Sequence, residues 1–178
     1  KQVSNKFKGH LGVSVRDETS AQILESLKIP NVVRAADLGW LWNVSDEVPR
    51  VSSSGFLGVS LRNPQTSRFL PAAVGPKASM PESEIINLAE SINAVAISSG
   101  LGVRFISLNE DEDAQLHQRV ASKLQVDSEL LNPDLSTLEQ CFDGVEAIVT
   151  MRYHAGLMGA LKGAGVVCLP FSKKLDSL

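Results

Sequence analysis

The sequence predicts an α/β protein made of doubly wound parallel sheet. Three observations carry this. Apolar runs of strand length alternate with stretches of helical spacing, and the strand runs are nearly continuous rather than alternating, as expected of strands covered on both faces. In addition, two similar hexapeptides, Gly12-Val13-Ser14-Val15-Arg16-Asp17 and Gly58-Val59-Ser60-Leu61-Arg62-Asn63, each read as a strand that ends on an arginine.

In order along the chain, 11–15 reads as a short strand, and 19–28 follows with Ile23, Leu24 and Leu27 at helical spacing. A second strand spans 32–35. The stretch 43–54 then turns polar, with Pro49 and three consecutive serines, and reads as a linker. Beyond it 55–61 is a third strand, followed by a long proline-containing connection to Pro81, of the kind that is often functional. Pro81-Glu82-Ser83-Glu84 opens a helix whose stripe is Ile85, Ala89, Ile92 and Ala96, flanked by Leu88 and Val95, and Gly100 closes it. A strand at 103–108, a helix at 113–124, a short helix at 135–142 behind an Asp134 cap, a strand at 145–151, a helix at 153–162 and a strand at 166–169 complete the pattern. The division expected is 1–49, the end of one lobe plus linker, and 50–178, a second lobe. The pattern starts and stops abruptly, so truncation at both ends is expected.

Composition narrows the function classes. The chain has 178 residues, 43% of them hydrophobic, which is enough for a core. Its 17 basic and 20 acidic residues are interspersed, giving a net charge of -3, so nothing predicts nucleic-acid binding. Cys141 and Cys168 lack metal or redox spacing and read as reduced thiols. The beginning of the chain does not resemble a secretion signal, and the most apolar stretch, 155–171, is too short and too interrupted for a membrane span. A cytoplasmic protein is expected.

In open parallel sheets, ligands bind outside the carboxyl ends of the strands. Three predicted strands end there in arginine: Arg16, Arg62 and, after Met151, Arg152. A guanidinium is a planar, permanently charged fork suited to carboxylate and phosphate. Three converging copies would fit a small ligand with more than one anionic group. His154 starts a helix directly after a strand, where the helix dipole disfavours a protonated imidazole but a bound dianion reverses the preference. His10, in a polar lead-in, and His117, assigned to a charged helix face, attract less interest. The acidic run 110–113 reads as a solvated turn and helix start, with Asp113 able to face the crevice from a strand end. Lys173 and Lys174 follow the last strand. Dinucleotide, P-loop, hydrolase-elbow and zinc-protease motifs are missing, so no metal or cofactor is expected.

Met151-Arg152-Tyr153-His154-Ala155-Gly156-Leu157, with Ala160, Gly163-Ala164-Gly165-Val166-Val167 and Lys174 beyond it, resembles the C-terminal signature of polysaccharide pyruvyl transferases: M-R-x-H, a small-residue helix, a G-V-P-type turn and a turn carrying a lysine. Val13-Ser14-Val15-Arg16-Asp17 with Ser20 resembles the V-S-x-R-D-x-x-S segment of that family, Ala36-Asp37 its A-D-P segment, and Gly58-Val59-Ser60-Leu61-Arg62 its second G-x-S-x-R strand. The pieces run in family order over nearly the whole chain. Leu38-Gly39-Trp40 departs from P-x-F, Ala164-Gly165 from the G-V-P turn, and Pro170-Phe171-Ser172-Lys173 from Y-D-P, which leaves the register of Lys174 against Lys173 open.

The resemblance implies two Rossmann-like lobes of the GT-B type, here mainly the C-terminal one. It also implies transfer of pyruvate from phosphoenolpyruvate to a hydroxyl pair on a sugar of a cell-envelope or exported polysaccharide. By the same resemblance Arg16, His154 and Lys174 fall on functional positions of the family and Arg152 on the arginine of its M-R-x-H motif. The chemistry expected from these residues has Arg16, Arg152 and Lys174 binding substrate, Arg62 assisting and His154 acting as the catalytic acid. The partners implied are phosphoenolpyruvate and a glycan or lipid-linked sugar acceptor, at the inner face of a membrane that the chain itself does not span. Two rival classes remain at this level: a GT-B glycosyltransferase using a nucleotide sugar, and a non-catalytic phosphate- or glycan-binding module.

Overall fold

A computed structural model describes residues 12–42, 55–62 and 80–169. They fall into two compact units, divided between Asn43 and Val44. The predicted linker and the connection over 63–79 lie outside the described residues.

In the first unit β1 (Val13–Val15) runs parallel to β2 (Val32–Arg34), in the register Val13↔Val32, and α1 (Glu18–Ser26) joins them. The helix starts where it does because Asp17 caps it: the carboxylate accepts from the Ser20 amide at 2.8 Å and the Ser20 hydroxyl at 2.9 Å. Asp37 does the same for a 3₁₀ turn, Leu38–Leu41, by accepting from the Gly39 amide at 2.8 Å.

The second unit holds a five-stranded, all-parallel sheet in the order β5-β4-β3-β6-β7. Its strands are β3 (Phe56–Ser60), β4 (Gly102–Ile106), β5 (Ser128–Leu131), β6 (Val145–Thr150) and β7 (Gly165–Cys168). This is a Rossmann-like α/β fold, as the sequence predicts. Alternation along the strands feeds two cores. Leu57, Val59, Val103 and Phe105 pack against Ile85, Ala89, Ile92 and Ala96 of α2 (Glu82–Ser99) and Leu116 and Val120 of α3 (Glu110–Ala121). On the other face Ile106, Val145 and Ile148 meet Cys141, Phe142, Ala155 and Met158, the last two from α4 (Tyr153–Leu161).

The α2 stripe matches the prediction except that the flanking Val95 is exposed. Asn93, inside that stripe, is buried because its Oδ1 accepts from the Gln125 amide at 2.9 Å, satisfying backbone just past α3. Gly100, with φ 67°, ends α2 in the left-handed conformation that glycine adopts without strain. Gly159 brings α4 close to β6, since a Cβ there would lie 2.7 Å from the Ile148 side chain.

Two elements differ from prediction. Strand β5 has no apolar run to announce it, because it lies at a sheet edge and half its residues are exposed. The helix expected over 135–142 is a turn followed by a 3₁₀ segment, Glu139–Phe142. The Asp134 carboxylate does cap, but it takes the amides and hydroxyls of both Ser136 and Thr137, a local alternative to helical bonding.

Candidate functional site

Strand order locates the crevice. From β3 the chain steps through β4 to β5 on one side, then returns to place β6 and β7 on the other, so the order reverses between β3 and β6. Loops leaving the carboxyl ends of two such strands part, and the gap is where open α/β sheets bind ligands. Ser60 and Thr150 are paired across it, and Arg62 and Arg152 each stand two residues beyond that pair.

The β6 lip is tightly built. The Met151 amide donates to the Ser60 carbonyl at 2.8 Å, and the Arg152 amide donates to the Thr150 hydroxyl at 2.8 Å. Arg152 occupies the N-cap position of α4, whose first amides therefore lie at the crevice. Its guanidinium grips Asp113 with two nitrogens: Nε donates to Oδ2 at 3.1 Å, and Nη2 donates to Oδ1. Asp113 is fully buried in the first turn of α3, and its Oδ2 also accepts from the Asn109 amide at 3.2 Å.

One helical turn further, His117 is fully buried against the Phe105 ring. The Leu61 amide donates to its Nε2 at 2.9 Å, and Nδ1 lies 2.9 Å from the Ser107 hydroxyl. An Nε2 that accepts carries no proton, so the neutral ring is protonated on Nδ1 and donates to Ser107. Burial pushes its pKa down to about 4, and the nearby Arg152 charge acts in the same direction. Three strands of this sheet thus end in a buried hydroxyl: Ser60, whose Oγ donates to the Ile106 carbonyl at 2.8 Å, Ser107 just beyond β4, and Thr150.

A model of the polysaccharide pyruvyl transferase family matches residues 1–172. The chain belongs to this family. No curated protein and no solved structure matches it. In this chain the M-R-x-H segment forms the turn from β6 into α4. His154 is the second residue of the helix, exposed, with its ring edge-on to Tyr153 at 5.4 Å between centroids.

The predicted site residues divide accordingly. The β3–β6 pairing brings the positions of Arg62, Arg152 and His154 to the carboxyl end of the sheet. Arg16 belongs to the first unit, where its guanidinium is paired with Asp37, so the V-S-x-R-D and A-D segments meet in an ion pair. Lys173, Lys174 and His10 lie outside the described residues.

Two assignments are corrected. His117 is not on a charged face, and Asp113 is neither solvated nor at a strand end. Both belong to the stripe Asp113, Leu116, His117, Val120, which α3 turns inward. That spacing was the available signal: two polar residues at i and i+4 in register with two apolar ones. Among the described residues no group of three His, Cys, Asp or Glu side chains converges to hold a metal, and no helix is long and apolar enough to cross a membrane.

Proposed function

We propose that this protein transfers a pyruvyl group from phosphoenolpyruvate, bound at the crevice between β3 and β6, to a polysaccharide sugar and forms a ketal on two of its hydroxyls. The observation that carries the reading is the position of Arg62 and Arg152, each two residues past the paired Ser60 and Thr150, at the point where strand order reverses. The start of α4 adds backbone amides suited to a phosphate or carboxylate. Two nitrogens of Arg152 are committed to Asp113, which fixes the plane of its guanidinium. Anion binding there draws on a pre-oriented group, with little ordering left to do on ligation.

His154, exposed beside these groups, is the general acid. It protonates the methylene carbon, which becomes the methyl group, and leaves positive charge on the adjacent carbon. A sugar hydroxyl adds to that carbon and loses its proton. Phosphate then departs with the electron pair of its C–O bond, and a second hydroxyl adds and deprotonates to close the ketal. Roles for Arg16 and Lys174 as further anion ligands rest on the family resemblance alone, as do the GT-B arrangement, the cell-envelope acceptor and a cytoplasmic site of action at the membrane face.

The test is calorimetry and turnover with the full-length protein, comparing phosphoenolpyruvate with nucleotide sugars. Phosphoenolpyruvate binding that survives His154→Ala while turnover falls ~100-fold or more supports the reading. Tight nucleotide-sugar binding with none of phosphoenolpyruvate overturns it.

A further inference from the structure

Two residues of α3, four apart, reach both lips of the crevice. Asp113 holds the Arg152 guanidinium beyond β6, and His117 accepts the Leu61 amide beyond β3. We propose that α3 is a two-point clamp, in which Asp113 and His117 act as positioning residues that set the separation of the Arg62 and Arg152 turns and hence the fit of a two-anion ligand. The ligand's identity as phosphoenolpyruvate rests on the proposed function; the clamp itself does not.

Stability alone does not call for either residue. Well-packed apolar side chains are often at least as stabilising as a buried ion pair. His117 sits beside Leu116, Val120 and Phe105, where a leucine would fill similar space. What an apolar residue cannot do is accept the Leu61 amide, the last before Arg62, which is buried past the end of the β3–β4 ladder. An apolar residue equally cannot fix the Arg152 fork, which needs two acceptor oxygens in one plane.

The two contacts also share a rigid frame. Four residues separate their origins on one helical face, so they lie one turn apart along α3. The helix is in turn bound to the sheet by Leu116 and Val120. A shift of α3 therefore moves both lips together, whereas loss of one contact frees one lip only. Ser107 completes the arrangement by accepting a hydrogen bond from the Nδ1–H, which favours the tautomer that keeps Nε2 as the acceptor.

The experiment compares full-length wild type with His117→Leu, His117→Gln and Asp113→Asn. Each is measured for KM and kcat with phosphoenolpyruvate, and for amide exchange in segments 60–62 and 151–155 without ligand. Glutamine keeps an acceptor oxygen near the place of Nε2; leucine does not. The clamp predicts that His117→Leu raises KM about tenfold, the equivalent of one well-made hydrogen bond, with kcat changed much less. It also predicts faster exchange in 60–62 but not in 151–155, and recovery of both KM and exchange in His117→Gln. Asp113→Asn should reverse the pattern, loosening 151–155. Wild-type KM and exchange in folded His117→Leu, or a His117→Gln as impaired as the leucine variant, overturns the clamp. If wild type makes no use of phosphoenolpyruvate, the functional reading falls, while the exchange pattern still decides for or against the clamp.

Discussion

The two ends of the five-stranded sheet use polar groups differently. At the amino end, Arg104 is paired with Glu129, donates to the carbonyls of Cys141 and Asp143, and stacks 3.9 Å above the Phe56 ring. Lys162, after α4 has returned to that end, reaches Glu139 at 2.7 Å and Asp143 at 3.1 Å. Burial opposes the Lys162 charge, but its bonds to Glu139 and Asp143 outweigh that and raise its pKa. The carboxylate partners at this end are part-exposed, so water shares the work of solvating them. At the carboxyl end the partners are buried hydroxyls, a neutral imidazole and a fully buried carboxylate. An ion pair alone does not mark a binding site. What separates the ends is that the cations at one complete the fold, whereas the polar network at the other sustains two strand-end turns beside a helix N-terminus.

If that contrast is sound, the largest stability loss should come from Arg152→Met, which leaves Asp113 charged, buried and without its guanidinium. A loss of ~3–5 kcal/mol in urea unfolding is expected. A smaller loss there than for Arg104→Met would break the comparison, because Glu129 can fall back on water.

Next in size is acid. With a folded pKa of about 4 against an ordinary value of 6.5, His117 makes the unfolded state the greater proton binder between those limits. Its contribution is complete above the upper limit and is lost as pH falls towards the lower one, a change of ~3 kcal/mol in unfolding free energy. Among the described residues, Arg152, Asp113, the Ser107 hydroxyl, the Leu61 amide and the Phe105 ring lie around it, and none of these offers an imidazolium a ready acceptor on the Nε2 side. Stability profiles of wild type and His117→Gln should diverge over this window; superimposable profiles would remove His117 from the account.

Smaller still is Arg104→Lys, which keeps the charge but loses the planar fork and its stacking on Phe56, at ~1 kcal/mol and with no change in turnover. Lys162→Met should cost at most ~1 kcal/mol, because a methionine fills the buried stem's place and the two carboxylates it leaves are part-exposed. Turnover reduced by either variant would show that the amino end takes part in the chemistry.

Much of this was legible in sequence because it depends on neighbours along the chain. Strand β3, the α2 stripe and its Gly100 stop are local patterns, as is the turn from β6 into α4 that puts His154 in the first turn of a helix. β5 was not legible, since an edge strand needs no continuous apolar run. The short helix at 135–142 was misread because Asp134, Ser136 and Thr137 favour each other's bonds over the helical ladder. His117 was misjudged on its charged neighbours rather than on its register with Leu116 and Val120.

By itself the sequence determined the class of fold, the arginines that follow the strands, the helix that begins at Tyr153 and, through motifs spread over nearly the whole chain, the family. Only tertiary structure decided that β3 and β6 are adjacent, and so that Arg62 and Arg152 flank one crevice. It alone decided that Asp113 and His117 face inward and hold the two lips. The reason is physical: periodicity reports which face of an element is buried, but Ser60 and Thr150 are 90 residues apart in the chain and meet only through the pairing of two strands.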